Sequence, residues 1–505
     1  MTEAQRRIAE QQRLSGINKL WNALTPLKHL GSIMNCGAHP DDERSHILAY
    51  LARNQGARVM YSTSTRGKGG QNAIGTEAGD DLAALRTEEL KAAASEIPIS
   101  LHYYSDRFGD EIDDFGFSTD PAEAEEKWGH ERIRERLVRI IREQKPDILY
   151  PTFLDVEGQH GHHRAITRAT LDAYDLAGDP NAFPDQITKD GLKPWQAKKL
   201  YLSATTGRGG VYDDSEAPPD ATVSIPTGEW DPIAGATYRQ IGEWSRARHL
   251  CQGMGRWNDA KPEQSFLHRH RCEIDIPLQE ESIFDGMIQT FSDMAEQIND
   301  NDFDALTMLD EVINAAISAF PNREKVLHNL GQASLLLMAV KLYIRNSGES
   351  IVNEYAHRIE LKEKQLGIAI YEASGLQADI IWDQDFASPG QDFTGRVSLY
   401  NTGQKNWSNI ALAVIGTDVT NPKYIDMSGF NIAPGEQKDI NIRLNIPVDA
   451  DYHHPLRKNY EPLWDLENFS CIIGVGDLGE KNLLPSNPIL VVPPVNLSWE
   501  ASGLF

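Results

Sequence analysis

Cysteine is scarce in this chain: four residues in 505, Cys36, Cys251, Cys272 and Cys471, with no CxxC spacing among them. That excludes a disulfide framework and a thiolate zinc site, so any metal must be held by histidine and carboxylate. Long apolar runs are lacking too. No stretch approaches the roughly 18 consecutive apolar residues that a membrane span requires. Residues 1–30 mix charges with short apolar pairs and do not read as a signal peptide. A cytoplasmic protein with no membrane span is expected. Basic charge is short: 49 Lys and Arg stand against 74 Asp and Glu, a net charge of -25. Nucleic-acid affinity rests on cations that displace phosphate counterions, so no nucleic-acid partner is expected. The patterns GxGxxG and GxxxxGK[ST] are also missing, which weakens any nucleotide-binding reading of the glycines at 67–70.

What is present has the composition of a globular protein, 40% hydrophobic and 24% charged. The length exceeds one ordinary core and suggests two or three domains. From about residue 31 to 204, short apolar runs alternate with stretches of helical period, as in βα units around a mainly parallel sheet. Strands are expected near 31–36, 57–63, 101–104 and 148–152. Helices are expected through Ile47, Leu48 and Leu51 up to Gly56, then over 81–97, 125–144 and 165–176. Leu267-His268-Arg269-His270-Arg271-Cys272 tempts as a metal box, but its alternation suits a strand. Residues 283–373 read as two to four helices. Beyond about 379, short apolar or alternating runs between Gly, Pro and Asn turns predict an antiparallel β-sandwich of roughly a hundred residues. The expected division is 1–255 for an N-terminal helix and catalytic α/β domain, 256–375 for a helical segment and 376–505 for an Ig-like β-sandwich.

Two segments carry chemistry, each just past the carboxyl end of an expected strand, where open α/β sheets place their sites. His39-Pro40-Asp41-Asp42 puts an imidazole and two carboxylates on one turn. A catalytic zinc site takes three protein ligands and keeps one position for water. His39 and Asp42 can converge on one ion, and Asp41 is then left with a carboxylate to spare. The third ligand must come from elsewhere. His160 and His163, one helical turn apart, can face the same pocket, one ligating and the other staying off the metal. Such a set suits amide hydrolysis: the metal acidifies water and polarises the carbonyl. Asp41 is placed to move the proton, and His160 is the candidate for the developing oxyanion. A blander reading is that Asp41-Asp42-Glu43 merely caps the helix that follows.

Four motifs, Ala38-His39-Pro40-Asp41-Asp42-Glu43, Thr65-Arg66-Gly67-Lys68-Gly69-Gly70, Leu85-Arg86-Thr87-Glu88-Glu89-Leu90 and His160-Gly161-His162-His163-Arg164-Ala165, resemble the PIG-L/LmbE-like zinc de-N-acetylases in order and approximate spacing. The resemblance covers roughly residues 30 to 175 and weakens towards 250. It implies a Rossmann-like α/β fold, with His39, Asp42 and His163 as zinc ligands, Asp41 as general base and His160 stabilising the oxyanion. Zinc is the implied cofactor, with another divalent metal as the alternative. The implied substrate is a small-molecule or oligosaccharide N-acetylglucosamine-type conjugate. Arg66, Gln71 and Asn72 are the candidates for contacting it, against the alternative of a plain surface loop.

The chain departs from the pattern between the two histidines, where many members have Pro-Asp and this sequence has Gly161-His162. If that aspartate normally orients the oxyanion histidine, Asp155 or Glu157 is left to substitute. His162 reads as a pocket-edge or solvent residue rather than a fourth ligand. Rival functions are an amidase for a larger acyl group or thiol conjugate, and a catalytically silent carbohydrate-binding protein using Trp407 or Trp464. Oligomeric state, including a homo-oligomer, is left open.

Overall fold

The structure is a computed structural model that describes residues 16–205, 214–298, 304–465, 468–476, 478–485 and 489–493. Residues 1–15 and 494–505, which belong to the expected first and last domains, lie outside the described residues.

Five strands form the parallel centre: β1 (Ser32–Gly37), β2 (Arg58–Thr63), β3 (Ile99–Tyr103), β4 (Ile148–Pro151) and β5 (Lys199–Ser203). Their order across the sheet is 3-2-1-4-5. All six residues of β1 are buried, as expected for a strand covered by helices on both faces. The chain winds outward from β1 through β2 to β3, then returns to β1's other side as β4. The loops leaving β1 and β4 therefore diverge to opposite faces and open a crevice between them, the place where doubly wound sheets bind ligands.

The helices of this layer follow the apolar spacing. α1 (Gly16–Leu24) precedes the sheet. α2 (Ser45–Tyr50) runs on as a turn of π-helix, Leu51–Gln55, and stops at Gly56 with φ 82°. α3 is Asp80–Glu96. The single helix expected over 125–144 is two, α4 (Pro121–Trp128) and α5 (His130–Gln144), broken at Gly129 with φ 80°, a conformation that glycine adopts without steric cost. α6 (Gly161–Gly178) starts four residues before the expected 165, because the His160 ring caps it by accepting the His162 N–H.

Two further segments complete the sheet. Ser265–Cys272 pairs antiparallel with β5, and Val223–Ile225 pairs antiparallel with it in turn. The His268-Arg269-His270 stretch is therefore a strand, and the sheet extends past residue 255. At the opposite edge Asn459–Tyr460, from the far end of the chain, pairs antiparallel with β3. Both outer edges of the parallel sheet are thereby covered.

Four helices follow among the described residues, Phe291–Ile298, Ala305–Ser318, Arg323–Arg345 and Glu349–Ser374. α1 packs with them, since Leu20, Ala23 and Leu24 belong to their core and not to that of the sheet. Two antiparallel sheets come next, one of Leu376–Trp382, Asp392–Asn401 and Gln437–Asn445, the other of Lys423–Ile425, Ile410–Val414, Cys471–Val475 and Gly479–Leu483. Their apolar faces share one core with the helices. Trp382 bridges it, its ring tilted against Phe393 at 4.8 Å and its indole N–H donating to Phe469 O at 3.0 Å. Trp407 is 3% exposed and bonds to Ser374 O, so it is part of this core and presents no stacking surface for a glycan. Among the described residues no helix is long and apolar enough to cross a membrane.

Candidate metal centre

The loop leaving β1 is bent back on itself by its own carboxylate. Asp42 Oδ2 accepts the backbone N–H groups of Ala38 and His39 at 2.9 and 2.8 Å, and Tyr61 Oη donates to His39 O at 2.6 Å. Gly37 is required at the strand end, since a Cβ there would lie 2.1 Å from Tyr61 Oη and 2.9 Å from Asp42 Cβ. The turn passes through φ 128° at Asp41. Such a conformation costs a non-glycine residue about 1–3 kcal/mol and is typical of functional turns. The acids do not cap α2: its N-cap is Arg44, Asp42 serves the loop amides, and Glu43 pairs with His249 Nε2 at 2.8 Å. The simple capping alternative is thus set aside.

The loop leaving β4 delivers His160 as the N-cap of α6, and His162 and His163 within its first turn. Across the crevice, His39 Nδ1 lies 3.2 Å from His163 Nε2 and 3.4 Å from Asp42 Oδ2, and His163 Nε2 lies 3.2 Å from Asp42 Oδ1. Three donors bound at about 2.0–2.1 Å in tetrahedral geometry would stand about 3.3 Å apart. The His39, Asp42 and His163 donors therefore fit a single small divalent cation, and their His/Asp chemistry fits zinc among others. The His163 ring is set for this by stacking on Phe153 at 4.0 Å and 10°, with Nδ1 3.4 Å from Gln159 Oε1. A proton held on Nδ1 by that amide leaves Nε2 with its lone pair facing Asp42.

Charge follows from burial and proximity. Burial opposes a charge on His39, but the Asp42 carboxylate beside it, with Asp114 and Asp41, raises its pKa to about 9. Burial acts to protonate Asp42, yet His163 and His39 hold its carboxyl well below the usual range. Asp41 is pushed up to about 6 by burial and then by the negative Asp42. It stands one residue from a ligand of the candidate site without supplying a donor to that three-residue group. His160 is depressed to about 3 by burial and by its electrostatic coupling to His39 and His163, so the ring is neutral at ordinary pH. Its Nδ1 accepts the His162 N–H at 3.2 Å, and Ser118 N lies 3.4 Å from Nε2. A neutral imidazole accepts at one nitrogen only. The shorter contact favours Nδ1 as the acceptor, and a proton on Nε2 then requires giving up the bond that Ser118 N–H donates to it.

Of the five residues expected at the centre, His39, Asp42, His160 and His163 lie side by side in space, and Asp41 adjoins them in the chain. Other readings are corrected. Arg66 is buried, stacked 3.6 Å over the Tyr103 ring, and bonded to Thr87 Oγ1, Ser105 O and Arg457 O. Its guanidinium ties the glycine-rich loop to the C-terminal segment instead of facing a ligand. Gln71 is exposed on the loop, and the Asn72 amide is engaged with Glu77 and the turn at Ile74 and Gly75. Asp155 does not orient His160, because Arg164 Nε and Arg168 Nε bind it at 2.8 and 2.6 Å. His162 is neither at the pocket edge nor in solvent: it is fully buried, between Phe115 at 4.2 Å and Trp128 at 4.5 Å. Gln159, Tyr61, Phe153 and Asp114 escaped the sequence reading. Of these only Gln159, four residues before His163, carried a local signal.

Fold and centre together are those of a doubly wound α/β domain with a candidate His–Asp–His metal site at its switch point. Residues 34–174 match the PIG-L family model, described as GlcNAc-PI de-N-acetylase. Similar sequences include 1D-myo-inositol 2-acetamido-2-deoxy-alpha-D-glucopyranoside deacetylase 1 of Frankia alni, 30% identical over 33% of this chain and 60% of its own. The deacetylase of the same substrate from Thermobispora bispora is 32% identical over 33% of this chain and 57% of its own. The chain thus spans about three fifths of the length of the curated relatives it matches. Among solved structures, the N,N'-diacetylchitobiose deacetylase of Pyrococcus horikoshii aligns at 18% identity over 34% of this chain and 59% of its own, with a TM-score of 0.27. The A40926 pseudoaglycone deacetylase Dbv21 aligns at 17% identity over 44% of this chain and 81% of its own, also at 0.27.

Proposed function

We propose that this chain is a metal-dependent hydrolase that removes the acetyl group from an N-acetylglucosamine-type conjugate. The observation that carries the reading is the convergence of His39, Asp42 and His163 from two loops, with the two imidazole nitrogens 3.2 Å apart and the Asp42 carboxylate 3.4 Å from one through Oδ2 and 3.2 Å from the other through Oδ1. Zinc is the proposed metal, and when bound it supplies a Lewis acid that acidifies water and polarises a carbonyl. His39, Asp42 and His163 hold it. Asp41 takes the proton from the attacking water and returns it to the departing amine, a role for which a carboxyl raised towards neutrality is suited. His160, kept neutral, is the donor to the oxygen of the tetrahedral intermediate, its Nε2 exchanging the Ser118 N–H it accepts for a proton of its own.

The match over residues 34–174 and the relatives' printed substrate, a 2-acetamido sugar linked to inositol, support a GlcNAc glycoside as the first compound to test. Gln71 and Asn72 remain proposed substrate contacts through their exposed loop; Arg66 is withdrawn. We also propose that the two C-terminal sheets form an Ig-like β-sandwich, supported by their shared core. We place our proposed first domain boundary after Cys272 instead of at 255, a choice supported by that strand's pairing with β5. Four unpaired cysteines support a reducing, cytoplasmic setting. The test is acetate release from a panel of N-acetylated sugars, with metal-stripped and zinc-restored protein. Release restored by zinc is expected. Stoichiometric metal with no release from any sugar would move the reading to an amidase for larger acyl groups or to a binding protein.

A further inference from the structure

The family-type reading leaves His162 without a task, yet it is the most enclosed side chain of the centre, with no exposure to solvent. Its Nδ1 lies 2.9 Å from His39 Nε2. That is shorter than the 3.2–3.4 Å contacts among the three candidate ligand side chains, and it is a hydrogen-bond distance. His39 presents Nδ1 to Asp42 and His163, so its Nε2 carries the proton and faces His162. A buried imidazole N–H of a metal ligand requires an acceptor, ordinarily a carboxylate or a backbone carbonyl. Here the acceptor is a second imidazole.

We propose that His162 is a positioning residue for His39: its Nδ1 accepts the His39 Nε2–H and holds that ring in the tautomer and orientation that turn Nδ1 towards the metal. The proposal rests on the metal-centre reading given above. Three observations support it. The His162 ring is wedged against Phe115 and Trp128, and Trp128 is itself pinned by its indole N–H to Asp113 O at 2.6 Å. Its backbone N–H is tied to His160 Nδ1, so one residue links the ligand and the proposed oxyanion donor. Finally, His162 Nε2 is buried with no hydrogen-bond partner. The ring is oriented to serve His39 at the expense of its own second nitrogen. A neutral acceptor also fits the local charge balance. The aspartate that many family members carry at this position would add a further negative group beside Asp41, Asp42 and Asp114, the last already 4.0 Å from His162 Nδ1.

A competing use of the same atoms is a second cation held by His39, His160 and His162, whose donor atoms also lie within 4.8 Å of one another. Metal titration of the full chain separates the possibilities. We would measure zinc affinity by chelator competition, and the visible spectrum of the cobalt-substituted protein, for the native chain, His162→Phe and His162→Gln. Phenylalanine keeps a ring between Phe115 and Trp128 without an acceptor, and glutamine returns a carbonyl acceptor. The expected result is one zinc per native chain, affinity lower by about 10–100-fold with altered cobalt bands in His162→Phe, and recovery of most of that loss in His162→Gln. Affinity in His162→Phe within about twofold of native, with an unchanged cobalt spectrum, overturns the positioning role and leaves the metal centre standing. Two zinc ions per native chain, with one lost in His162→Phe, overturns it in favour of the second cation. A native chain that binds no zinc removes the metal-centre reading itself, and this proposal with it. Should His162→Phe fail to fold, histidine-selective nitrogen NMR of the zinc-loaded native chain decides the question. The expected tautomers are Nε2–H on both His39 and His162, and a proton on His162 Nδ1 overturns the proposal.

Discussion

Replacing Asp41 by Asn separates the base from the ligands. The substitution keeps the side chain's size, and asparagine has the same Cβ as aspartate, so the strain of the turn at φ 128° is the same in both. It removes a negative group from beside Asp42 without touching the bonds from Ala38 N and His39 N that shape the loop. Metal affinity should therefore stay within a few-fold of native. Turnover should not. General-base assistance is worth about 10²–10⁴ in rate, or about 2.7–5.4 kcal/mol of transition-state stabilisation. An amide in that place cannot accept the water proton, so acetate release should fall by about a hundredfold or more, with kcat carrying the loss. The matched control is Asp42→Asn, which deletes a ligand charge and should weaken metal binding by more than tenfold. Acetate release and metal content would be measured on the same preparations. The reasoning is refuted if Asp41→Asn empties the site while Asp42→Asn keeps it, which would exchange the two roles, or if Asp41→Asn retains more than about a tenth of native turnover.

Three further outcomes follow from the same structure. Arg358 on the long helix Glu349–Ser374 binds Asp147 through two nitrogens, at 2.6 and 2.9 Å, in a buried pair that ties the helices to the sheet at β4; Arg358→Met leaves that buried carboxylate with Ser32 N and Oγ as donors but no cation, and should cost about 3–5 kcal/mol in denaturant unfolding, and a loss under 1 kcal/mol contradicts it. Gly37→Ala should weaken metal binding because its Cβ overlaps Tyr61 Oη, and adding Tyr61→Phe should restore part of the loss; a single variant with native affinity refutes the packing argument. His102 is buried against Asn459, and burial lowers its pKa to about 4, so between that value and the unfolded pKa near 6.5 the unfolded chain binds more protons. Stability should therefore fall as pH drops through this window, and His102→Gln should flatten the slope when unfolding is followed from pH 7 to 4; an unchanged slope assigns the effect elsewhere.

What the sequence made legible was local in origin. A strand, a tight turn and a helix start follow within a dozen residues of one another at 32–45, and both histidine-bearing loops carry their signals in adjacent residues, so strand ends and ligand types could be read together. The failures share the opposite property. Nothing near Asn459 announces that it pairs with His102, more than three hundred residues away, and the alternation of residues 265–272 marks a strand without naming its sheet. Arg66 sits in a motif suited to ligand binding, but its fate is decided by Tyr103 and the Arg457 carbonyl, which only the folded chain brings near. His162 is the sharpest case. Spacing alone places it one residue off the ligand face of α6 and leaves solvent as the default. Burial by Phe115 and Trp128, drawn from the segment after β3 and from α4, turns the same ring towards His39. A residue that is off-pattern in sequence and enclosed in space is thus where chemistry particular to this chain is to be sought.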